Sequence, residues 1–205
     1  MKKRYVLCGG LVVLFFVILI SILMGRTLFI DTTIMNMMAN IRGEGLTKIV
    51  KIITLFGESK LILVLVVALA GIFYFTKHKA DAYMMCLNLF NIVILNKGIK
   101  YLVRRERPLN MLIEEDGFSF PSGHSMLSIG VYGFLMFLIY KSNLEKKYKT
   151  ILMTLLTIII VVVGLTRMYL GVHYPSDVIG GYLITGAYLI IFISIINEKV
   201  YKKLK

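Results

Sequence analysis

Three short polar clusters interrupt a chain of 205 residues that is 58% hydrophobic, and each holds side chains able to act on an anion. "KYLVRRERP", Lys100 to Pro108, sets Lys100, Arg104, Arg105 and Arg107 ahead of a proline. Guanidinium forks at fixed spacing suit bidentate recognition of phosphate. "FPSGHS", Phe120 to Ser125, reads as a helix start, with Pro121 pre-set for a first helical turn. Ser122, Gly123 and His124 would then present backbone N–H groups at the positive end of that helix, which makes an anion site. Gly123 lets the backbone approach a ligand with no Cβ in the way. In "TRMYLGVHYPSD", Thr166 to Asp177, His173 and Asp177 lie four residues apart and so share a face on a helical turn. A carboxylate on one imidazole nitrogen fixes the tautomer and frees the other as nucleophile or base. Arg167 lies across a short turn marked by Gly171, placed to return toward the same point.

Each cluster alone has a plainer reading: a basic collar for lipid headgroups, a capped helix with an interfacial histidine, or a surface ion pair in a loop. What favours chemistry is the arrangement of the elements between them. With a mean hydropathy of +0.82, the chain carries more apolar side chain than a soluble core of this size can bury, so lipid is part of its solvent. A bilayer core takes about 20 apolar residues per helix. Six segments approach that length, at 5–25, 58–76, 82–99, 119–140, 150–167 and 176–197. The second and third require Lys60 and Lys97 to lie near the interface or snorkel to it. An up-down order of six helices puts all three clusters on one face. A charge at a helix centre costs about 2.5–3.5 kcal/mol, so such clusters belong at helix ends.

The expected fold is therefore all-α: an integral membrane bundle of six transmembrane helices, forming a single domain over 1–205. The run from Tyr5 to Gly25 is too long for a signal-peptide core and is read as an uncleaved first helix. With the N-terminus inside, the cytoplasmic pieces hold thirteen Lys/Arg against three acids, Asp81, Glu145 and Glu198. This positive-inside pattern puts both termini in the cytoplasm and the clusters at the outer face of the cell membrane. Residues 26–57 have apolar residues at helical spacing and are expected to form an interfacial or re-entrant amphipathic helix.

The net charge of +13 raises nucleic acid as a partner, but the basic residues are dispersed among apolar segments and form no basic face. No nucleic-acid partner and no obligate protein partner are expected; the partners are the bilayer and an anionic ligand. Cys8 and Cys86 both lie inside apolar runs and read as packing residues rather than a disulfide. "EED", Glu114 to Asp116, is read as a solvated loop, since acids beside an anion site do not bind phosphate, and calcium-loop spacing is absent. His78, in a cytoplasmic turn, is assigned no role.

Together the motifs Lys100…Arg107-Pro108, Pro121-Ser122-Gly123-His124 and Arg167…His173…Asp177 resemble the type 2 phosphatidic acid phosphatase (PAP2) superfamily. They span 78 positions, and the six-helix layout extends the likeness over nearly the whole chain. One departure is Thr166, where the family usually has serine; the hydroxyl is kept. The resemblance implies a metal-independent phosphatase with no cofactor, related in active-site design to vanadium haloperoxidases. By that likeness His173 would attack phosphorus and form a phosphohistidine, Asp177 would orient it, and His124 would protonate the leaving oxygen and then help activate water. Lys100, Arg107 and Arg167 would hold the non-bridging oxygens, assisted by Ser122 and the Gly123 N–H. Arg104 and Arg105 lie outside the motif, for headgroups or the second phosphate of a diphosphate. The implied activity is hydrolysis of a lipid phosphate such as undecaprenyl diphosphate, phosphatidylglycerol phosphate or phosphatidate, with a mild preference for the polyprenyl carrier. A lipid-phosphate binder or transporter is the alternative, against which a complete His-His-Asp set argues. A haloperoxidase is disfavoured by the membrane spans and the short chain.

Overall fold

The computed structural model describes residues 2–26 and 28–201, so Lys202, Lys203 and Lys205 of the basic C-terminus lie outside the described residues. Those residues form eight α-helices and no strand: α1 (Lys2–Leu23), α2 (Phe29–Asn40), α3 (Glu44–Thr54), α4 (Ser59–Phe75), α5 (Lys79–Val103), α6 (Gly123–Lys141), α7 (Lys146–Tyr169) and α8 (Pro175–Ile196). Five of them, α1 and α5 to α8, are long and apolar enough to cross a membrane. At 17 residues, α4 reaches only about 26 Å, less than a bilayer core of about 30 Å. It joins α3 through a 3-10 turn, Leu55–Gly57, and the two helices, bent by 46°, are together long and apolar enough for a sixth span. The all-α membrane bundle is as expected, with the second span short and kinked. Lys60 falls in its first turn, at a helix end.

The bundle is built around α6 and α8. Ile62 and Val66 of α4, Ile92 of α5, Met126 and Val131 of α6 and Leu189 of α8 meet in one core. Buried Asn88 is tied across it by donating Nδ2 to the Gly130 carbonyl at 2.9 Å. In contrast, α1 has a mean hydropathy of 3.1 with only 11% of that stretch buried. It buries Cys8 and Phe15, half-buries Leu11, Val12, Ile18 and Leu19, and packs along α8; the Phe15 ring stacks on Phe120 at 5.7 Å.

The 26–57 segment is more than one interfacial helix. After α2, Arg42 donates Nε to the Tyr169 carbonyl and Nη1 to the Asn110 carbonyl, both at 3.0 Å. The Tyr169 hydroxyl is in turn bonded to the Gly43 N–H and to Thr47 of α3. Helices α2 and α3 thus cap the end of the bundle where α5 and α7 stop and α6 and α8 start. Glycine is needed at two joints of this cap. At Gly57 an added Cβ would lie 2.4 Å from Val163 Cγ1, so only glycine lets the 3-10 turn seat against α7. At Gly171 φ is +73° and a Cβ would lie 2.5 Å from the Asn110 carbonyl oxygen. The N-terminus is at the other end, where Arg4 shares a groove with Tyr140, Lys141 and Asn197.

Candidate active site

All three polar clusters reach the capped end, although several get there by routes other than those expected. Helix α5 stops at Val103 because Arg104 turns left-handed, with φ 52° and ψ 36°. The chain then runs as an irregular loop to Ser122, and Arg107 is pinned within it. Its Nε donates to the Gly117 carbonyl at 3.0 Å, Nη2 to the Asp116 carbonyl at 3.0 Å and Nη1 to the Val172 carbonyl at 2.8 Å. Arg107 Nη1 also lies 3.2 Å from His173 Nε2.

Helix α6 begins at Gly123, so Pro121 precedes the helix rather than sitting in its first turn. The proline at the first helical position is instead Pro175 of α8. Ser122 is the N-cap: its Oγ accepts from the Ser125 N–H at 3.4 Å and from Ser125 Oγ at 3.0 Å. Its own N–H donates to the Asp177 carbonyl at 3.1 Å, so it is not one of the free N–H groups expected there. The hydroxyl hydrogen of Ser122 remains for an anion, since both contacts use its lone pairs. At Gly123 an added Cβ would meet Asn96 Oδ1 at 3.4 Å, an ordinary contact, so no protein neighbour forces glycine there. His124 lines a cavity of about 210 Å³ with Asn96, Lys97, Glu115, Gly123 and Leu127.

His173 and Asp177 meet, but not on one helix face. Tyr174 is the N-cap of α8, so His173 stands outside it, and Asp177 reaches back from the third position of the helix. Asp177 Oδ2 accepts the Tyr174 N–H at 2.9 Å and faces His173 Nδ1 at 3.4 Å. Nδ1 is buried and has no other partner. A guanidinium can only donate, so its contact with Nε2 requires the lone pair there and places the ring proton on Nδ1, toward Asp177. Burial, reinforced by the charges of Arg107, Arg167 and Lys100, holds the His173 pKa well below the ordinary imidazole value. His173 is therefore neutral near pH 7, with its lone pair aimed into a cluster of cations.

Those cations are Lys100 in the last turn of α5, Arg107, and Arg167, which is only 1% exposed at the end of α7. Lys100 feels the charges of Arg107, Glu115, Asp177 and Arg167, and His124 those of Arg167, His173, Lys100 and Arg107. Arg167 donates Nη1 to Thr54 Oγ1 at 3.0 Å, while Nη2 bonds Glu115. Glu115 also faces Arg107 Nη2 at 3.9 Å. Burial pushes the Glu115 carboxyl up, but Arg167 and Arg107 outweigh it and hold it below the usual carboxylate range. Glu115 was expected in a solvated loop; instead it rests on two of the arginines that were expected to take phosphate oxygens.

Two further residues lay beyond sequence reasoning. Arg105, expected to meet headgroups or a second phosphate, is half-buried and bridges Asp177 and Asp31 of α2. The signal was there in "TLFIDTTIM", where Asp31 is a lone acid in an apolar stretch. Among the described residues no group of three or more His, Cys, Asp or Glu side chains is placed to hold a metal ion.

Such a site, a neutral imidazole among fixed cations with a second histidine alongside, can displace at phosphorus. The family model described as PAP2 superfamily matches residues 59–201. The phosphatidylglycerophosphatase B of Bacillus subtilis (strain 168) is 33% identical over 172 residues, covering 83% of this chain and 84% of that protein. The crystal structure of a transmembrane PAP2 type phosphatidylglycerolphosphate phosphatase from Bacillus subtilis superposes with a TM-score of 0.85 at 31% identity, over 94% of this chain and 96% of that one. Aquifex aeolicus LpxE shares the fold, with a TM-score of 0.66 at 23% identity over 82% of this chain and 96% of its own. With its three motifs converging at one end of a helical membrane bundle and the family model covering α4 to α8, this chain belongs to the PAP2 superfamily.

Proposed function

We propose that the protein is a membrane lipid phosphatase that works through a phosphohistidine, with its site in one domain at the outer face of the membrane. The observation that carries the reading is the His173 pair of contacts, Nε2 to Arg107 at 3.2 Å and Nδ1 to Asp177 at 3.4 Å. Substrate phosphate displaces Glu115 and draws Arg107 off Nε2; Lys100, Arg107 and Arg167 then hold its non-bridging oxygens with Ser122 and the Gly123 N–H. His173 Nε2 forms a bond to phosphorus as the ester P–O bond breaks, and His124, protonated once the charge of the bound phosphate offsets the surrounding cations, gives that proton to the departing lipid oxygen. Asp177 faces the imidazolium that forms. In the second half His124 takes a proton from water, water attacks phosphorus, and phosphate leaves with His173 restored. Fixed cations stabilise charge at both transition states, where phosphoryl transfer needs it most.

For the substrate, a lipid phosphomonoester such as phosphatidylglycerol phosphate is favoured over undecaprenyl diphosphate. The curated relative and the solved structure from Bacillus subtilis both carry that monoester in their names. Of the two cations expected to meet a second phosphate, Arg105 is taken by Asp31 and Asp177, while Arg104 is exposed and donates Nε to the Tyr101 carbonyl.

In nanodiscs with chelator present, phosphate release from phosphatidylglycerol phosphate should exceed release from undecaprenyl diphosphate and phosphatidate at matched surface concentration. His173→Ala should abolish it, and the wild type should yield an acid-labile, base-stable phosphoenzyme. Full activity in His173→Ala would sink the nucleophile assignment. Orientation is read by a cysteine at Leu109, which is 98% exposed. It should react with an impermeant reagent added to whole cells, and labelling only after lysis would reverse the topology.

A further inference from the structure

Helix α2 lies outside the stretch that the family model matches, yet it delivers a carboxylate to the support of Asp177. Asp31 is wholly buried. Its Oδ1 accepts the Ser176 N–H at 2.9 Å, and its Oδ2 accepts Ser176 Oγ at 2.7 Å and Arg105 Nη2 at 2.8 Å. The other arm of the same guanidinium, Nη1, donates to Asp177 Oδ1 at 2.6 Å and to Ser176 Oγ at 2.7 Å. The Arg105 plane stacks on the Tyr174 ring at 4.1 Å, which stops it turning.

We infer that Asp31 and Arg105 are positioning residues for the reaction: a two-carboxylate clamp on one arginine that keeps Asp177 ionised and aimed at His173. Asp177 has two oxygens with separate tasks. Oδ1 is taken by Arg105, so Oδ2, steadied by the Tyr174 N–H, is the one left for His173 Nδ1. A buried carboxylate with no fixed cation takes up a proton instead. Arg105 supplies the cation, and Asp31 anchors Arg105 so that it cannot swing out to a phosphate. Burial opposes the charge of Arg105, but Asp177 and Asp31 outweigh it and raise its pKa. The other charged groups facing Asp177 are Lys100 of α5, Arg107 of the loop and His173 itself, and all three are expected to engage the substrate phosphate. Only the Arg105–Asp31 pair is free to serve Asp177 throughout the cycle.

This inference rests on Asp177 orienting His173, and the experiment separates the two. The pH dependence of kcat and KM is measured for wild type, Asp177→Asn, Arg105→Ala, Asp31→Asn and the Asp31→Asn/Arg105→Ala double variant in nanodiscs. In Arg105→Ala two buried carboxylates lose their shared cation, and one binds a proton. Its kcat should drop at least about tenfold at neutral pH, recovering as pH rises, while KM stays near wild type because Lys100, Arg107 and Arg167 are untouched. Removing Asp31 as well leaves one carboxylate, so the double variant should regain part of the lost kcat and shift its acid limb back down. Mere structural damage would add in the double variant and leave the pH profile in place, and that result overturns the clamp. A wild-type kcat in Arg105→Ala also overturns it, provided Asp177→Asn is inactive; an active Asp177→Asn would instead sink the orienting role of Asp177. Should Arg105→Ala fail to fold, Asp31→Asn decides: a lowered kcat at unchanged KM supports the clamp, and an unchanged kcat ends it.

Discussion

Asp31, brought by α2, is wholly buried and takes three hydrogen bonds besides facing Asp177 across Arg105, whereas Glu115, brought by the α5–α6 loop, keeps 27% of its side chain exposed. Both carboxylates neutralise an arginine of the site. The first does so from behind, where every oxygen is satisfied and nothing can exchange with it. The second does so from the front, at the place where phosphate oxygens are proposed to bind, beside the cavity that holds His124. An anion fixed by several buried donors is costly to remove, about 3–5 kcal/mol once a partner is left behind. An anion held at a partly open edge on two guanidinium groups is replaced by any better one. Under the proposed mechanism the two ion pairs have opposite duties: one shapes the support of His173, and the other gives up its arginines to the substrate phosphate.

The largest effect expected from breaking this comparison is at Arg167. Arg167→Ala removes a phosphate donor and strands Glu115, and kcat/KM should fall by about 10²–10³-fold, the loss typical of a preorganised transition-state donor. Steady-state kinetics in nanodiscs against phosphatidylglycerol phosphate measures it. A fall of less than about tenfold would mean that Arg167 is only the anchor of Glu115.

Glu115→Gln should act in the opposite sense and more modestly. With the competing carboxylate gone, orthovanadate and inorganic phosphate should inhibit about tenfold more tightly, at kcat within about twofold of wild type. Weaker inhibition would show Glu115 helping to bind phosphate rather than standing in for it. A pH signature follows from the same pair. The folded-state pKa of Glu115 is depressed, so its contribution to stability is complete above the unfolded carboxyl value and is lost as pH falls through the folded one. Thermal melts followed downward from pH 5, through the ordinary carboxyl value and below it, should therefore slope less steeply in Glu115→Gln than in wild type.

How much of this could be read in the chain divides along the same line. The spans α1 and α5 to α8 were legible because hydropathy along a helix reports lipid directly, and the three motifs were legible because their residue types belong to no ordinary helix end. The bend before α4 was not, since it depends on Gly57 seating against Val163, a contact 106 residues away in the chain. Arg105 could be seen but not interpreted: "RRER" offers three guanidinium groups, and only the left-handed turn at Arg104 decides which way each one leaves the helix. Glu115 was misread for a related reason. Its chemistry says that it repels phosphate, and that is correct, yet in the unliganded site the same chemistry makes it the nearest anion for Arg167 and Arg107. Asp177 was paired with His173 on the right spacing and the wrong geometry, because a reach across a helix start and a shared helix face both give four residues.

The smallest effect sharpens what holds Arg167 once Glu115 has gone. Its Nε has no partner, and Nη1 donates to Thr54 Oγ1 at 3.0 Å, so threonine is the contact that remains when phosphate replaces Glu115 at Nη2. Thr54 sits at the last position of α3, immediately before the 3-10 turn, which makes the α3 cap a buttress for the guanidinium plane. Thr54→Val keeps the shape and deletes the acceptor. It should lower kcat/KM about fivefold, equivalent to roughly 1 kcal/mol for one lost hydrogen bond. Because the acceptor acts on Arg167 alone, Thr54→Val should add nothing in an Arg167→Ala background. If the two losses multiply instead, Thr54 supports the site through the packing of α3, and the guanidinium is held by something other than its hydrogen bonds.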